Sequence, residues 1–448
     1  MSKIHEKRLA TSIGLFLGAI VLVVAGLIFV FGGTTLNGYG KKKLEQAFAR
    51  AHPGFQIQIG ELDYSVAANC LVGKSVTLTA ENATLTVSRV SLTGVRWVRL
   101  LFGGSAASAA VLARASADVT NLVLKFPPEH YEIRCARLRA SVPRSELIAE
   151  WTELRTLVGD EEFFAEHDYR KPRFHVVVPE CRVSGLALDE LLQGRSYRAR
   201  SVKITRPSFD ALVNRDKPVN QSQERPLMVH EALAAILEPL QVDHLSITDG
   251  RATYCERVLA GAEPGVLTFG AINLSADGIA NRGPPSAAIL LRAQGEFMGT
   301  GQLALQMSIP ITPADLSLHY SGSLSAMDLT RLDAFLDITE HARIKSGSAK
   351  EAAFEIEVTA GQAQGWVRAV YENFEIAVLD RKTGSDKGLD NRLASFLANT
   401  LKFRNANGPD ASGSMKEGKV NFARAPEHTF LQFVWFALRS GVLDVISN

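Results

Sequence analysis

From Phe55 onward the sequence alternates apolar and polar residues in one short run after another, almost to its end. Phe55-Gln56-Ile57-Gln58-Ile59 begins the series; Val76–Thr79 and Thr84–Val87 follow, separated by Glu81-Asn82-Ala83. Successive side chains of a strand point to opposite faces, so this period of two predicts half-buried strands. Val90–Leu92, Asp118–Phe126, Phe174–Val178, Arg182–Leu188 and Val202–Ile204 continue the pattern. Asp243–Tyr254 reads as a hairpin, two alternating runs around Asp249-Gly250, a pair suited to a type I′ turn. Further strands are predicted at Val266–Phe269, Ile272–Leu274, Ala288–Leu291, Gln302–Ile309, Leu316–Leu318, Phe354–Val358, Trp366–Tyr371, Phe374–Leu379 and Lys419–Phe422.

Helical spacing interrupts the series in a few places. Lys41–Ala51 places Leu44, Ala47 and Phe48 on one face. Arg144–His167 carries Leu147, Trp151, Leu154 and Leu157 at helical intervals, and predicts a helix inserted between strands. Lys217–Glu224 reads as a polar loop before a second helix over Pro226–Leu237, and a third is predicted over Leu389–Leu401. The chain closes with Glu427–Ile446, apolar nearly all round, which predicts a helix that is either buried or held against lipid. Its Arg439 and Asp444 argue against crossing a bilayer, since a central charge costs about 2.5–3.5 kcal/mol on insertion scales. Phe430, Phe433, Trp435 and Leu438 are its candidate cap or membrane contacts.

Ahead of the strand series lies Ser12–Gly33, 22 residues without a charge. As a helix it would extend about 33 Å, enough for a hydrocarbon core of about 30 Å. It exceeds the apolar region of a cleaved signal peptide and ends in Gly32-Gly33-Thr34-Thr35 without a clear small-x-small site, so it predicts a retained anchor. Lys3, Lys7 and Arg8 before it nearly balance Lys41, Lys42, Lys43 and Arg50 after it, so flanking charge leaves its orientation open. The expected fold is mainly β: residues 12–33 a transmembrane helix, 34–54 a juxtamembrane helix and linker, 55–426 a long strand-rich body, either an elongated, curved antiparallel β-sheet or a sandwich, with inserted helices, and 427–448 the apolar C-terminal helix.

A net charge of +2 on 448 residues provides no field for nucleic acid. Cys70, Cys135, Cys181 and Cys255 are far apart and none belongs to a C-x-x-C pair, which predicts buried, inert thiols; one long-range disulfide stays open. The histidines form no H-E-x-x-H, and no G-x-S-x-G elbow occurs. Gly73-Lys74-Ser75 resembles the end of a phosphate loop, but Ala68 stands where its first glycine belongs, so Gly73, like Gly38 and Gly40, is read as a turn glycine. The sequence therefore predicts no catalytic residue, no metal ligand and no cofactor site.

An alternating strand must bury its apolar face. Either a second sheet covers it, or the face lines an open groove wide enough for acyl chains. The pattern does not separate these. Leu303, Leu305, Met307 and Ile309, together with Leu316, are the candidate groove residues, and a filled core is their alternative reading. About twenty strands at about 4.8 Å would extend about 100 Å as one ribbon.

Several stretches resemble the AsmA-like superfamily of bacterial envelope proteins: the N-terminal anchor followed by FQIQIGELDYSV, then SVKITRPSFDALVNRDKP, LTFGAINLSADGI, SGSLSAMDLTRLDAFL, RIKSGSAKEAAFEIEVTAGQAQGWVRAVYENFEIAVL and the closing TFLQFVWFALRSGVLDVI. The resemblance covers nearly the whole chain and consists of fold patterns without a catalytic motif. It implies a cytoplasmic residue 1–11 segment, a single inner-membrane helix and a periplasmic, taco-like β-groove that handles phospholipid or another acyl-chain lipid in outer-membrane biogenesis. Other envelope proteins are implied partners. The alternatives are a scaffold that binds envelope proteins by strand addition, and an envelope hydrolase, for which no constellation is present.

Overall fold

Runs of about ten residues with apolar side chains on one face pair edge to edge until that face is continuous. The computed structural model describes residues 45, 54–65, 67–96, 112–192, 195–220, 225–284, 286–311, 315–378 and 403–447. Among these are eighteen strands in one curved sheet. The first meander comprises β1 (Gln56–Ser65), β2 (Cys70–Ala80), β3 (Ala83–Thr93), β4 (Ser116–Phe126), β5 (Tyr131–Ser141), β6 (Glu146–Thr156) and β7 (Arg173–Ser184), each antiparallel to the next. β8 (Tyr197–Thr205) and β9 (Ser208–Asn214) follow each other along one strand position beside β7, broken at Arg206-Pro207. A second meander contains β10 (Leu240–Arg257), β11 (Gly265–Ala280), β12 (Ala288–Phe297), β13 (Gly301–Pro310), β14 (Leu318–Leu324), β15 (Met327–Asp328), β16 (Ala342–Thr359), β17 (Gln362–Val378) and β18 (Glu417–Ala423).

The two meanders join where β10 runs parallel to β8 and β9, Leu245 beside Val202 and Cys255 beside Leu212. The sheet is therefore mixed, a departure from the antiparallel expectation. A parallel neighbour needs a crossover of a dozen residues or more, and residues 215–239 supply it. Sixteen strand positions at about 4.8 Å extend about 70 Å, shorter than the 100 Å of the first reading.

Among the described residues, five short or medium α-helices decorate this sheet: α1 (Asp160–Ala165), α2 (Leu188–Leu192), α3 (Val229–Ala234), α4 (Asp333–Thr339) and α5 (Phe430–Ile446). The helix expected over Arg144–His167 is instead β6 followed by α1. The hairpin expected at Asp243–Tyr254 is instead one continuous strand, β10, and the helix expected over Pro226–Leu237 shrinks to α3. Gly73 lies inside β2 and marks no turn. All four cysteines are free thiols: Cys135 is buried, and burial pushes it, Cys181 and Cys255 above the usual thiol range. Ser12–Gly33, Gly38 and Gly40, most of Lys41–Ala51 and the helix expected over Leu389–Leu401 lie outside the described residues. Among the described residues no helix is long and apolar enough to cross a membrane.

One irregularity crosses strand after strand in register. β1 buries Ile57 and Ile59, exposes both Gly60 and Glu61, then turns Leu62 and Tyr64 inward. β2 does the same around Lys74-Ser75, β3 around Ser88-Arg89, β4 around Thr120-Asn121 and β5 around Ala136-Arg137. In β6 the outward doublet is Glu150-Trp151. These doublets are adjacent in the pairing: Lys74 opposes Glu61 and Arg89, Thr120 opposes Arg89 and Arg137, and Arg137 opposes Glu150. Left-handed backbone marks the line at Ser75, Asn121, Trp151, Arg206, Asp249 and Ala271, with φ between 46° and 53°. Such a residue kinks its strand and increases its twist, so the row forms a transverse crease from β1 to β11. At Arg206-Pro207 the proline, which lacks an N–H, ends β8 while its carbonyl accepts from Arg251 N at 2.8 Å. Beyond each doublet the inward positions change parity, and the apolar side chains stay on one face.

Candidate functional site

Register assigns every side chain of the sheet to an apolar or a polar face. Across the second meander the apolar face can be followed from Leu291 to Met307, Tyr320, Ile356, Gly365 and Val420, each directly opposite the last. The reverse face carries ion pairs such as Lys345–Glu375 at 3.0 Å and Lys350–Glu372 at 2.6 Å. These pairs are half-exposed or more, so each contributes about 1 kcal/mol or less.

The apolar face is closed at both ends. Over β1–β5, Ile59, Leu71, Val76, Leu92 and Leu122 belong to one contiguous cluster, each 1% exposed. That cluster includes residues from both sides of the crease, as in a sheet folded along that line. At the other end α5 lies over β17 and β18 and buries Phe433, Ala437, Gly441 and Val445, a residue per turn. Thr429 caps it by accepting from Gln432 N, and Gln432 Oε1 accepts in return from Thr429 N at 3.0 Å. Tyr320 donates its hydroxyl to Val434 O at 3.1 Å, and Asp444 accepts from Lys419 N at 2.8 Å. Burial of the Tyr320 phenol raises its pKa. Helix and strand touch through backbone: a Cβ on Gly418 would sit 2.0 Å from Gly441 O, and one on Gly441 2.5 Å from a Val367 methyl.

Between these ends, from β7 to β13, the same face is half-open. Above the crease Val183, Val202, Leu245, Leu274, Leu291 and Leu305 are only partly buried. Below it Val176, Phe209, Phe269 and Phe297 are partly buried or exposed, with Phe269 and Phe297 ring centroids 5.1 Å apart and Phe209 40% exposed. Register places these rows on one face: Val202 beside Leu245, Leu245 opposite Ala276, Ala276 opposite Leu291; Phe209 beside Ala252, Ala252 opposite Phe269, Phe269 opposite Phe297. No charged side chain stands in either row. The band's lower edge is shut by α4, whose Phe335 lies 6.1 Å from the Tyr254 ring, and by a polar cluster in which Arg215 faces Glu256 at 3.4 Å and donates to Thr339 O at 2.8 Å. α1 closes the neighbouring corner with Phe163 and Phe164 among Tyr131 and Leu212, while Arg257 pairs with Glu161 at 2.5 Å.

The candidate residues divide accordingly. Leu303 and Leu305 are half-buried on the band, Leu305 against the margin of the neighbouring core. Met307, Ile309 and Leu316 are 5–7% exposed and fill the core that α3 and α5 cover. Phe433 is fully buried in that core, Phe430 and Leu438 pack at its margin, and Trp435 is 50% exposed beside Leu431 at 75%. The helix is thus a cap on the sheet with an apolar outer edge. Of the more open residues, Val176, Val183, Val202, Leu245, Phe269, Leu274 and Leu291 fall in the expected strands, whereas Phe209 and Phe297 fall outside them. Their signal was the same alternation without a charge on the apolar side.

Chemical machinery is sparse around the band. Among the described residues no three His, Cys, Asp or Glu side chains gather as metal ligands. His167 donates from Nδ1 to Phe163 O at 2.6 Å and accepts from Lys171 at 2.9 Å, an arrangement inside the α1 corner. Burial lowers both the His167 and the Lys171 pKa. Comparison with known protein families and with curated proteins finds no match to this chain.

Proposed function

We propose that the protein is a membrane-anchored, non-enzymatic lipid handler whose half-open apolar band shelters acyl chains. One observation carries this reading: aliphatic and phenylalanine side chains on β7–β13 stay partly exposed while the same face is closed to either side. Leaving such a surface in water is costly, about 25 cal/mol for each Å². A lipid chain offsets that cost at about 0.8 kcal/mol per CH₂ withdrawn from water. The apolar Ser12–Gly33 segment supports a bilayer as the source, and the sequence resemblance to AsmA-like envelope proteins supports a periplasmic body that works in phospholipid handling.

The second reading, a scaffold that recruits proteins by strand addition, draws on the outer edges of β1 and β18, whose described ladder partners are β2 and β17; on β1, Glu45 already accepts from Ile59 N at 3.0 Å. At β18 the Lys419 N–H is already held by Asp444 of α5, which disfavours that edge.

Leu305→Glu separates the readings. A carboxylate on a half-open lipid face reaches water, so the variant stays folded and loses transfer of a fluorescent phospholipid from vesicles. In a closed core the same carboxylate unfolds the protein. A folded variant with undiminished lipid uptake contradicts the proposal.

A further inference from the structure

We infer that the lipid site is a bounded seat for diacyl phospholipid, and not a conduit running the length of the sheet. This rests on the lipid-handling reading and adds where on the sheet the lipid lies and where it stops. The open part of the apolar face covers six strand positions, β7 to β13, or about 25–30 Å at the usual spacing. One leaflet of a hydrocarbon core about 30 Å thick holds chains of about 15 Å. The band is therefore long enough for acyl chains to lie across or along it, and too short for a file running the length of the sheet, which extends about 70 Å.

Both exits along the sheet are filled. Toward β1, beyond the partly buried Leu154 and Ile133, Leu124, Phe126 and Tyr131 are 4–7% exposed. Toward β18, Tyr320, Ile356 and Val358 are fully buried, and α5 lies across the face, its backbone in contact with Gly418. Close-packed interiors of this kind leave no space for a chain to slide through.

The chemistry of the band favours an acyl chain over an extended polypeptide. A sheet face presents side chains only, so an extended peptide lying on it would leave amides unpaired. An acyl chain has none to satisfy. The absence of charge in the two rows gives no counterpart for an ionic ligand, so the headgroup projects past the strand ends into water.

The test uses the full chain and four native phenylalanines, each replaced by para-azidophenylalanine, a photo-crosslinker that adds only a linear azide to the ring. Phe209 and Phe297 lie on the open band; Phe126 and Phe354 lie in the two closed ends. Each protein is incubated with vesicles of phosphatidylethanolamine and phosphatidylglycerol containing radiolabelled phosphatidylethanolamine, then irradiated. Labelled adducts at Phe209 and Phe297 should exceed those at Phe126 and Phe354 by about tenfold or more, because a close-packed end admits no added chain. Equal labelling at all four positions overturns the bounded seat and leaves lipid handling intact. Crosslinks from Phe209 and Phe297 into the protein's own peptides, without lipid, mean that the chain itself covers the band, which also overturns it. No lipid adduct at any position rejects the lipid-handling reading as well.

Native thiols provide a second readout without substitution. Cys181 lies on the apolar face at β7, half-buried, and Cys135 lies in the closed end at 1% exposure. The same vesicles should slow N-ethylmaleimide labelling of Cys181, while Cys135 stays unlabelled with or without lipid. Lipid-dependent labelling of Cys135 contradicts a sealed end.

Discussion

Trp151 adopts a backbone conformation that bulky L-residues avoid, with φ at 50°, although its side chain is 65% exposed and packs little. The crease imposes that angle. Left-handed backbone costs a non-glycine residue about 1–2 kcal/mol, whereas glycine adopts it freely and loses about 0.5–1 kcal/mol in chain entropy. Trp151→Gly should therefore leave the urea unfolding free energy within about 1 kcal/mol of the parent, while Trp151→Val should lie about 1–2 kcal/mol below the glycine variant. Equal losses in both would place the cost in the missing indole. Two histidines make a separate prediction about pH. Burial lowers the pKa of His167, held between Phe163 O and Lys171 and facing His130 and Glu166. Burial likewise lowers His230, which faces Glu231, Arg225, Arg424 and Asp315. Each binds a proton less readily folded than unfolded, so their contribution is full above about pH 6.5 and is lost as pH falls through the lower folded values. Urea midpoints should decline as the pH is lowered below that point, and the decline should flatten in the His167→Gln, His230→Gln double variant. An unchanged decline in that variant would assign the acid sensitivity to other groups.

At the scale of elements, the C-terminal helix is held by a glycine-to-glycine contact with β18. Gly441→Val sets a branched side chain against Val367 and Val420, at positions where even a Cβ comes within 2.7 Å. Overpacking of this kind costs about 1–3 kcal/mol or more. The variant should expose the segment after Glu427 to protease while the first meander keeps its resistance. Protease resistance equal to the parent would show that the helix does not depend on this contact. The crease accounts for most places where the sequence misled. In β6 the doublet Glu150-Trp151 moves the inward positions from Leu147 and Ala149 to Thr152 and Leu154. Leu147, Trp151 and Leu154 thereby fall at intervals of four and three, which imitate a helix. In β10 the crease requires left-handed backbone at Asp249, so Asp249-Gly250 carries turn residues in the middle of a strand. The same phase change splits β3, β7 and β11 into pairs of shorter apparent strands. Alternation was legible because it is local. The crease was not, because one doublet reads as noise until its neighbours are aligned by pairing.

For the molecule as a whole, the consequence is a division of one apolar face into three parts. The first meander fills its own interior, α5 seals the last strands, and an uncharged band stays half-open between them. Leu303 and Leu305 could be placed on the apolar face from the sequence because alternation identifies a face. Met307, Ile309 and Leu316 could not be distinguished from them, because which part of a face is covered depends on α3 and α5, elements remote in the chain. The central claim, that the band holds acyl chains, is tested most directly by mass spectrometry of the full-length protein purified in a mild detergent. The account predicts phospholipid retained with the purified protein, and its loss in Leu305→Glu. Phospholipid no more abundant than in an unrelated single-helix membrane protein prepared the same way would contradict it.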